Sequence, residues 1–269
     1  MHLHVHEFFV TLVILHIIGG VPGLISFWVP VLTKKGGKSH VFWGKVFTIS
    51  MLFTGTVAVG MSTTTLIAPL PTHPGLAEHP ELYDASFIRG IFGWMMLYLA
   101  ILTINLAWHG WRVLKNRRDH KTNRGAFSLF LQFALLISSL NCAIQGLLIG
   151  QVMMVGISFV GIAAFATNMV FIMQDTPARY EWQLEHIKAI VGAGISVYTA
   201  FLAFGAVRLM PSLALAPVLW AFPLVTGLAI IIYHRRAVRT RFTGSKSPPQ
   251  SMLNTLRKFW LSGEAKKTP

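Results

Sequence analysis

Apolar runs of helix length recur from one end of this chain to the other, and nothing else in it constrains the fold as much. About 20 such residues carry one helix across the hydrocarbon of a bilayer, where backbone polar groups must be satisfied within the segment. Seven runs are expected to span, roughly 8–32, 41–68, 88–111, 126–149, 152–173, 187–209 and 214–234. The narrowest division is Leu148–Met153, with Gly150 and Gln151, between the fourth and fifth. One helix through 126–173 would far exceed a single crossing, so a tight hairpin is expected there. Only 12% of the residues are charged, about half the usual share of a soluble domain. The expected fold class is all-α, a polytopic transmembrane helix bundle. Residues 1–243 form the membrane domain and 244–269 a basic tail. In that tail, SMLNTLRKFWLSG mixes apolar side chains with Arg257 and Lys258, as an interfacial helix or an unstructured tail would.

The charge pattern orients these spans. The formal net charge is +14, and of the 23 lysines and arginines only Arg89 and Arg208 fall in the alternate set of loops. The positive-inside rule then puts the N-terminus outside and the C-terminus in the cytoplasm. Topology accounts for the basic excess, which removes the argument for nucleic acid. The opening MHLHVHEFF lacks a basic n-region and a small-residue cleavage site, so the first run reads as a permanent span. The single cysteine, Cys142, lies in an apolar helix and excludes a disulfide or cysteine metal cluster within one chain; it reads as a packed core residue.

The chemistry-bearing candidates are histidines. His40, His109 and His186, on spans two, three and six, fall at one depth on the cytoplasmic side. Asn105 and His109 share a helix face, with Arg112 one turn further on. Ionisable side chains at membrane depth face a partner, a cavity or a ligand. One use is axial ligation of haem b, with His109 and His186 as the preferred pair, His40 as alternative ligand, and Arg112, Lys45 and Arg124 near the propionates. A second is zinc held by His40, His109 and His186 with Glu185, which would make a membrane hydrolase; no HExxH occurs. A third is purely structural, with no cofactor.

A second polar layer is expected toward the outside. His16 lies within the first span, followed by Gly19, Gly20, Pro22 and Gly23. Asn141 and Gln145 share one face of the fourth span, and Thr199 lies on the sixth. His16, Asn141, Gln145 and Thr199 would line an outer cavity for a quinone or other amphipathic ligand, or part of a transport path. The proline-rich outer loop 69–87 holds His73 and His79, expected to be solvated. His2, His4 and His6 alternate and would be scattered around a helix, so they form no expected site. The turn TKKGGKSH lacks the P-loop spacing and reads as a lysine-rich turn that enforces topology.

Residues 16–47, with His16, Gly19, Gly20, Lys35, Gly36, Gly37, His40 and Gly44, resemble the start of a bacterial family of conserved multi-pass membrane proteins of unknown function. Residues 185–201, with Glu185, His186, Gly192, Gly194, Tyr198, Thr199 and Phe201, resemble the same family. The resemblance implies a bacterial inner-membrane protein in which His16, His40 and His186 belong to one design. It implies no chemistry. The leading functional expectation is a membrane redox protein that binds haem or quinone and meets a membrane electron-transfer partner. The metal-dependent hydrolase, a small-solute or proton-coupled transporter, and a structural protein stand as alternatives.

Overall fold

The computed structural model describes residues 2–205 and 217–243. The expectations for the tail 244–269, for Arg208 and for the end of the sixth run fall outside these residues. Every regular element among the described residues is helical. The long helices are α1 (His2–Leu32), α2 (Lys38–Ile67), α6 (Met96–Lys115), α7 (Ala126–Leu148), α8 (Val152–Met173), α9 (Glu181–Ala200) and α10 (Pro217–Thr243). Short helices α3 (Pro69–Thr72), α4 (Pro74–Ala77) and α5 (Ala85–Ile88) fill the loop after α2. Among the described residues, six segments are long and apolar enough to cross a membrane: His4–Leu32, Lys38–Ile67, Ala85–Lys115, Ala126–Leu148, Val152–Met173 and Glu181–Gly205. The protein is a polytopic α-helical membrane protein.

Helix α6 is the hub. It packs on α2, α9 and α7; α1 covers α2, α8 covers α7, and α10 covers α9. Accordingly Tyr98, Leu102, Leu106 and Ala107 of α6 sit in the central cluster with Phe27, Phe47 and Met51. By contrast, α1 turns Ile14, Ile17, Ile18, Val21 and Ile25 outward. An apolar face of that kind is stable against lipid and would be costly in water.

The expected hairpin between α7 and α8 is present, and a glycine makes it. Gly150 has φ +70°, the left-handed region that other L-residues enter only under strain. Gln151 N–H donates to Gly146 O at 2.7 Å and Gly150 N–H to Leu147 O at 3.3 Å. These two bonds are the Schellman pair, which satisfies carbonyls that a helix end otherwise leaves open.

Three local differences from the sequence reading bear on function. The sixth span begins at Glu181, so Glu185 and His186 lie inside α9 rather than ahead of it. Glu181 Oε2, in its first turn, accepts from Ala178 N–H of the preceding loop at 2.9 Å. The third span starts further out, as α5 followed by a π-helical stretch Arg89–Met95 that continues into α6. Finally, His73 is not simply solvated: its ring centroid is 4.4 Å from that of Phe92 and 5.2 Å from that of Phe9, while His79 remains exposed.

A buried ionisable centre at the basic end of the bundle

The loops after α1, α6 and α8 share one end of the bundle and carry Lys34, Lys35, Arg117, Arg118, Lys121, Arg124 and Arg179. At that end, α6 and α9 cross closely because Gly110 lies between them. A Cβ at Gly110 would sit 2.8 Å from Ile190 Cδ1 and 3.2 Å from Ala189 Cβ, tighter than packing tolerates. Across this contact, His109 Nε2–H donates to Glu185 Oε1 at 3.0 Å. Lys188, one turn along α9, donates to the same oxygen at 2.5 Å. His109 is 3% exposed and Glu185 7%. An imidazole, a carboxylate and an ammonium therefore share one oxygen inside the helix bundle.

This triad extends in both directions. Lys188 Nζ also donates to Thr167 Oγ1 on α8 at 3.0 Å. The neighbouring Asn168 donates to Asn105 Oδ1 at 3.2 Å and to Gln132 Oε1 at 3.3 Å. Asn105, Gln132 and Asn168 are almost completely buried, at 0%, 1% and 0% exposure. Asn105 Nδ2 and Asn168 Oδ1 find no partner among the described residues. Such orphaned polar atoms are costly in a dry core and are the usual partners of a buried water. Further along α6, Thr103 and Ser196 join their hydroxyls at 2.7 Å. In the opposite direction, Phe171 stands between His109 and His120, with ring centroids 6.2 and 4.7 Å away. His120 and Phe171 line a cavity of about 440 Å³ that opens at the basic end.

The other expected ligands part company with His109. His186 Nδ1–H donates to Gly110 O at 2.9 Å, and His40 Nδ1–H to Pro30 O at 3.0 Å. Pro30 lies in the last turn of α1, where carbonyls lack intrahelical partners. Lys35 caps the same turn through Pro30 O at 2.7 Å and Val31 O at 2.6 Å. Partial burial there pulls the Lys35 ammonium below the usual lysine range. His40 lies close enough to interact electrostatically with both His186 and His234. His40, His109, His186 and Glu185 do not converge: among the described residues no three His, Cys, Asp or Glu side chains form a group that could hold a metal ion. The zinc-hydrolase expectation thus lacks its ligand set, because Glu185 occupies His109 while the two other histidines turn to backbone carbonyls.

Arg124, an expected propionate partner, is committed elsewhere. It donates to the carbonyls of Ile172, Met173 and Gln174 at the end of α8 and pairs with Asp175 at 3.0 Å. Arg112 donates to Thr122 O at 3.0 Å.

The four residues of the expected outer cavity are distributed over three helices. The His16 ring on α1 lies against the Thr54 backbone of α2, with its Nδ1 buried and without a partner among the described residues. Asn141 and Gln145 are on α7, whose neighbours are α8 and α6, and both are half-buried. Thr199 is buried on α9, one turn beyond Ser196. No side-chain hydrogen bond joins His16, Asn141, Gln145 and Thr199 among the described residues.

Sequence reasoning passed over Lys188, Gln132 and His234 as site members. Lys188 was legible as a cation three residues from Glu185 in an apolar helix, and Gln132 as an amide inside AFSLFLQFALL. His234 had no comparable signal. The chain matches no family model, no curated protein and no solved structure at a significant level.

Proposed function

We propose that this is a proton-translocating membrane protein of the proton-coupled carrier class, in which His109, Glu185 and Lys188 form the proton-exchanging centre. The observation that carries this reading is the single Glu185 oxygen accepting from both His109 and Lys188 inside the bundle. Desolvating an ion costs several kcal/mol, and a purely structural contact between α6 and α9 would be made more cheaply by apolar side chains. An imidazole on a carboxylate is a pair that gains and releases protons near neutrality. The cavity behind Phe171 offers the centre access to water at one end, and the Asn105–Asn168–Gln132 cluster continues the polar line into the membrane.

In this reading the chain has seven spans, with α10 as the seventh. The apolar stretch Val218–Tyr233 and its packing against α9 support that count. The basic end then faces the cytoplasm and the N-terminus lies outside, by the positive-inside rule. Membership of the bacterial family that residues 16–47 and 185–201 resemble, and location in the bacterial inner membrane, belong to the same proposal. Proteoliposomes polarised with valinomycin test it. Proton uptake is expected to exceed that of empty liposomes, and to fall about tenfold or more in Glu185→Gln and His109→Gln. Uptake no faster than empty liposomes, from folded wild-type protein, contradicts the reading.

One observation favours a second reading, the haem-binding redox protein. His40 and His186 each anchor Nδ1–H on a backbone carbonyl and make no hydrogen bond through Nε2 among the described residues. That is the arrangement by which proteins orient an imidazole toward a metal. The pair to test is therefore His40 with His186, not His109 with His186. A quinone or a membrane redox protein would be the electron partner. A Soret band in protein expressed with ample haem, lost in His40→Ala and His186→Ala, is the expected signature. Absence of that band removes this reading and leaves the first untouched.

A further inference from the structure

The cavity at the basic end has a chemistry of its own. It holds about 440 Å³, within the range of small-ligand sites. Its wall brings together Arg117 and Arg118, which follow α6, and Arg179, which precedes α9. His120 and Gln183 add polar atoms, and His120 Nε2 is buried without a partner among the described residues. No aspartate or glutamate belongs to the described lining.

Carboxylates flanking this wall in the chain already have partners. Asp119 accepts from Thr122, Glu181 from Ala178 N–H, and Asp175 pairs with Arg124. Arg118 and Arg179 make no ion pair or hydrogen bond among the described residues. Arg117 lies over the Trp182 ring at 5.6 Å, which fixes its guanidinium at the rim. Three exposed guanidinium groups on one concave wall that no carboxylate lines raise the local positive potential and favour an anion there. Planar five-donor forks suit phosphate oxygens in particular.

We propose that this cavity binds a phosphate-bearing anion through Arg117, Arg118 and Arg179, with His120 as an additional donor. The ligand is either the phosphate of an anionic lipid headgroup or a soluble phosphate monoester; the chemistry recognised is the same. The cavity is the one given above as the water access of the proton-exchanging centre, but none of these residues belongs to the His109–Glu185–Lys188 triad, so loss of anion binding and loss of proton uptake are separate outcomes.

Two arms test it on the full-length protein. In detergent, calorimetric titration with inorganic phosphate and with glycerol phosphate measures soluble anions. In nanodiscs of mixed phosphatidylcholine and phosphatidylglycerol, native mass spectrometry after release measures the lipids retained. The double variant Arg118→Gln/Arg179→Gln is compared with Lys34→Gln/Lys38→Gln, which removes the same charge from exposed positions at the same end. A soluble ligand predicts saturable binding weakened at least about tenfold by the arginine changes and hardly at all by the lysine changes. A headgroup predicts selective retention of phosphatidylglycerol with the same dependence. Equal losses in the two variants reveal a nonspecific surface charge and overturn the proposal. So does folded wild-type protein that binds neither probe.

Discussion

At the scale of single residues, Gly110 and Glu185 depend on each other. Gly110 lets α9 approach α6 until His186 reaches its carbonyl and Glu185 reaches His109. Gly110→Ala forces a Cβ into Ile190 and Ala189, and overpacking of this kind costs about 1–3 kcal/mol. The expected result is a lower Tm together with weakened proton uptake, although no ionisable group has been changed. A Tm and an uptake rate equal to wild type would show that the close crossing is not needed. Tyr98 supplies a complementary case. It is fully buried on α6 and its Oη–H donates to Ile157 O at 2.7 Å on α8. Tyr98→Phe removes this bond while Ile157 O keeps its place in the α8 ladder, which should lower stability by about 0.5–1.5 kcal/mol in a denaturation series while leaving proton uptake intact.

At the scale of elements, the basic end is held by side chains acting as helix caps. Arg124 reaches back to three consecutive carbonyls at the end of α8. Lys35 and His40 do the same for α1 at Pro30. Cations near a helix C-terminus satisfy open carbonyls and complement the dipole. Arg124→Ala should therefore raise amide exchange over residues 171–176, and leave exchange in α1 unaltered. Uniform exchange in the variant and wild type would assign Arg124 no capping role.

The elements also show what a sequence can disclose. Spans were legible because hydrocarbon imposes length and polarity on every one of them, and the α7–α8 hairpin was legible from Gly150. The start of α9 was not, because its first turns carry Glu181, Gln183 and Glu185, and apolar periodicity does not register a polar helix end. His109 and Glu185 were each visible as polar residues near the basic end. Their pairing was not, since it depends on the azimuths of α6 and α9, which Gly110 sets. Lys188 stands one turn from Glu185, and that spacing alone does not say that both turn inward. The four outer residues illustrate the same limit: shared depth does not bring α1 and α7 side by side.

At the scale of the molecule, α6 joins everything. It carries Tyr98, Thr103, Asn105 and His109 among its buried residues and touches α2, α7 and α9. A polar line along a central helix, surrounded by apolar helices facing lipid, is how a membrane protein confines ionisable groups to a protected interior. The central claim is that the His109–Glu185–Lys188 centre exchanges protons rather than serving as a fixed ion pair. Difference infrared spectroscopy of the protein in lipid, stepped between about pH 5 and 8 where histidine chemistry operates, tests this most directly. A reversible signal from the imidazole and carboxylate bands is expected, and it disappears in both His109→Gln and Glu185→Gln. A wild-type spectrum with no pH-dependent contribution from either residue over that range would contradict it.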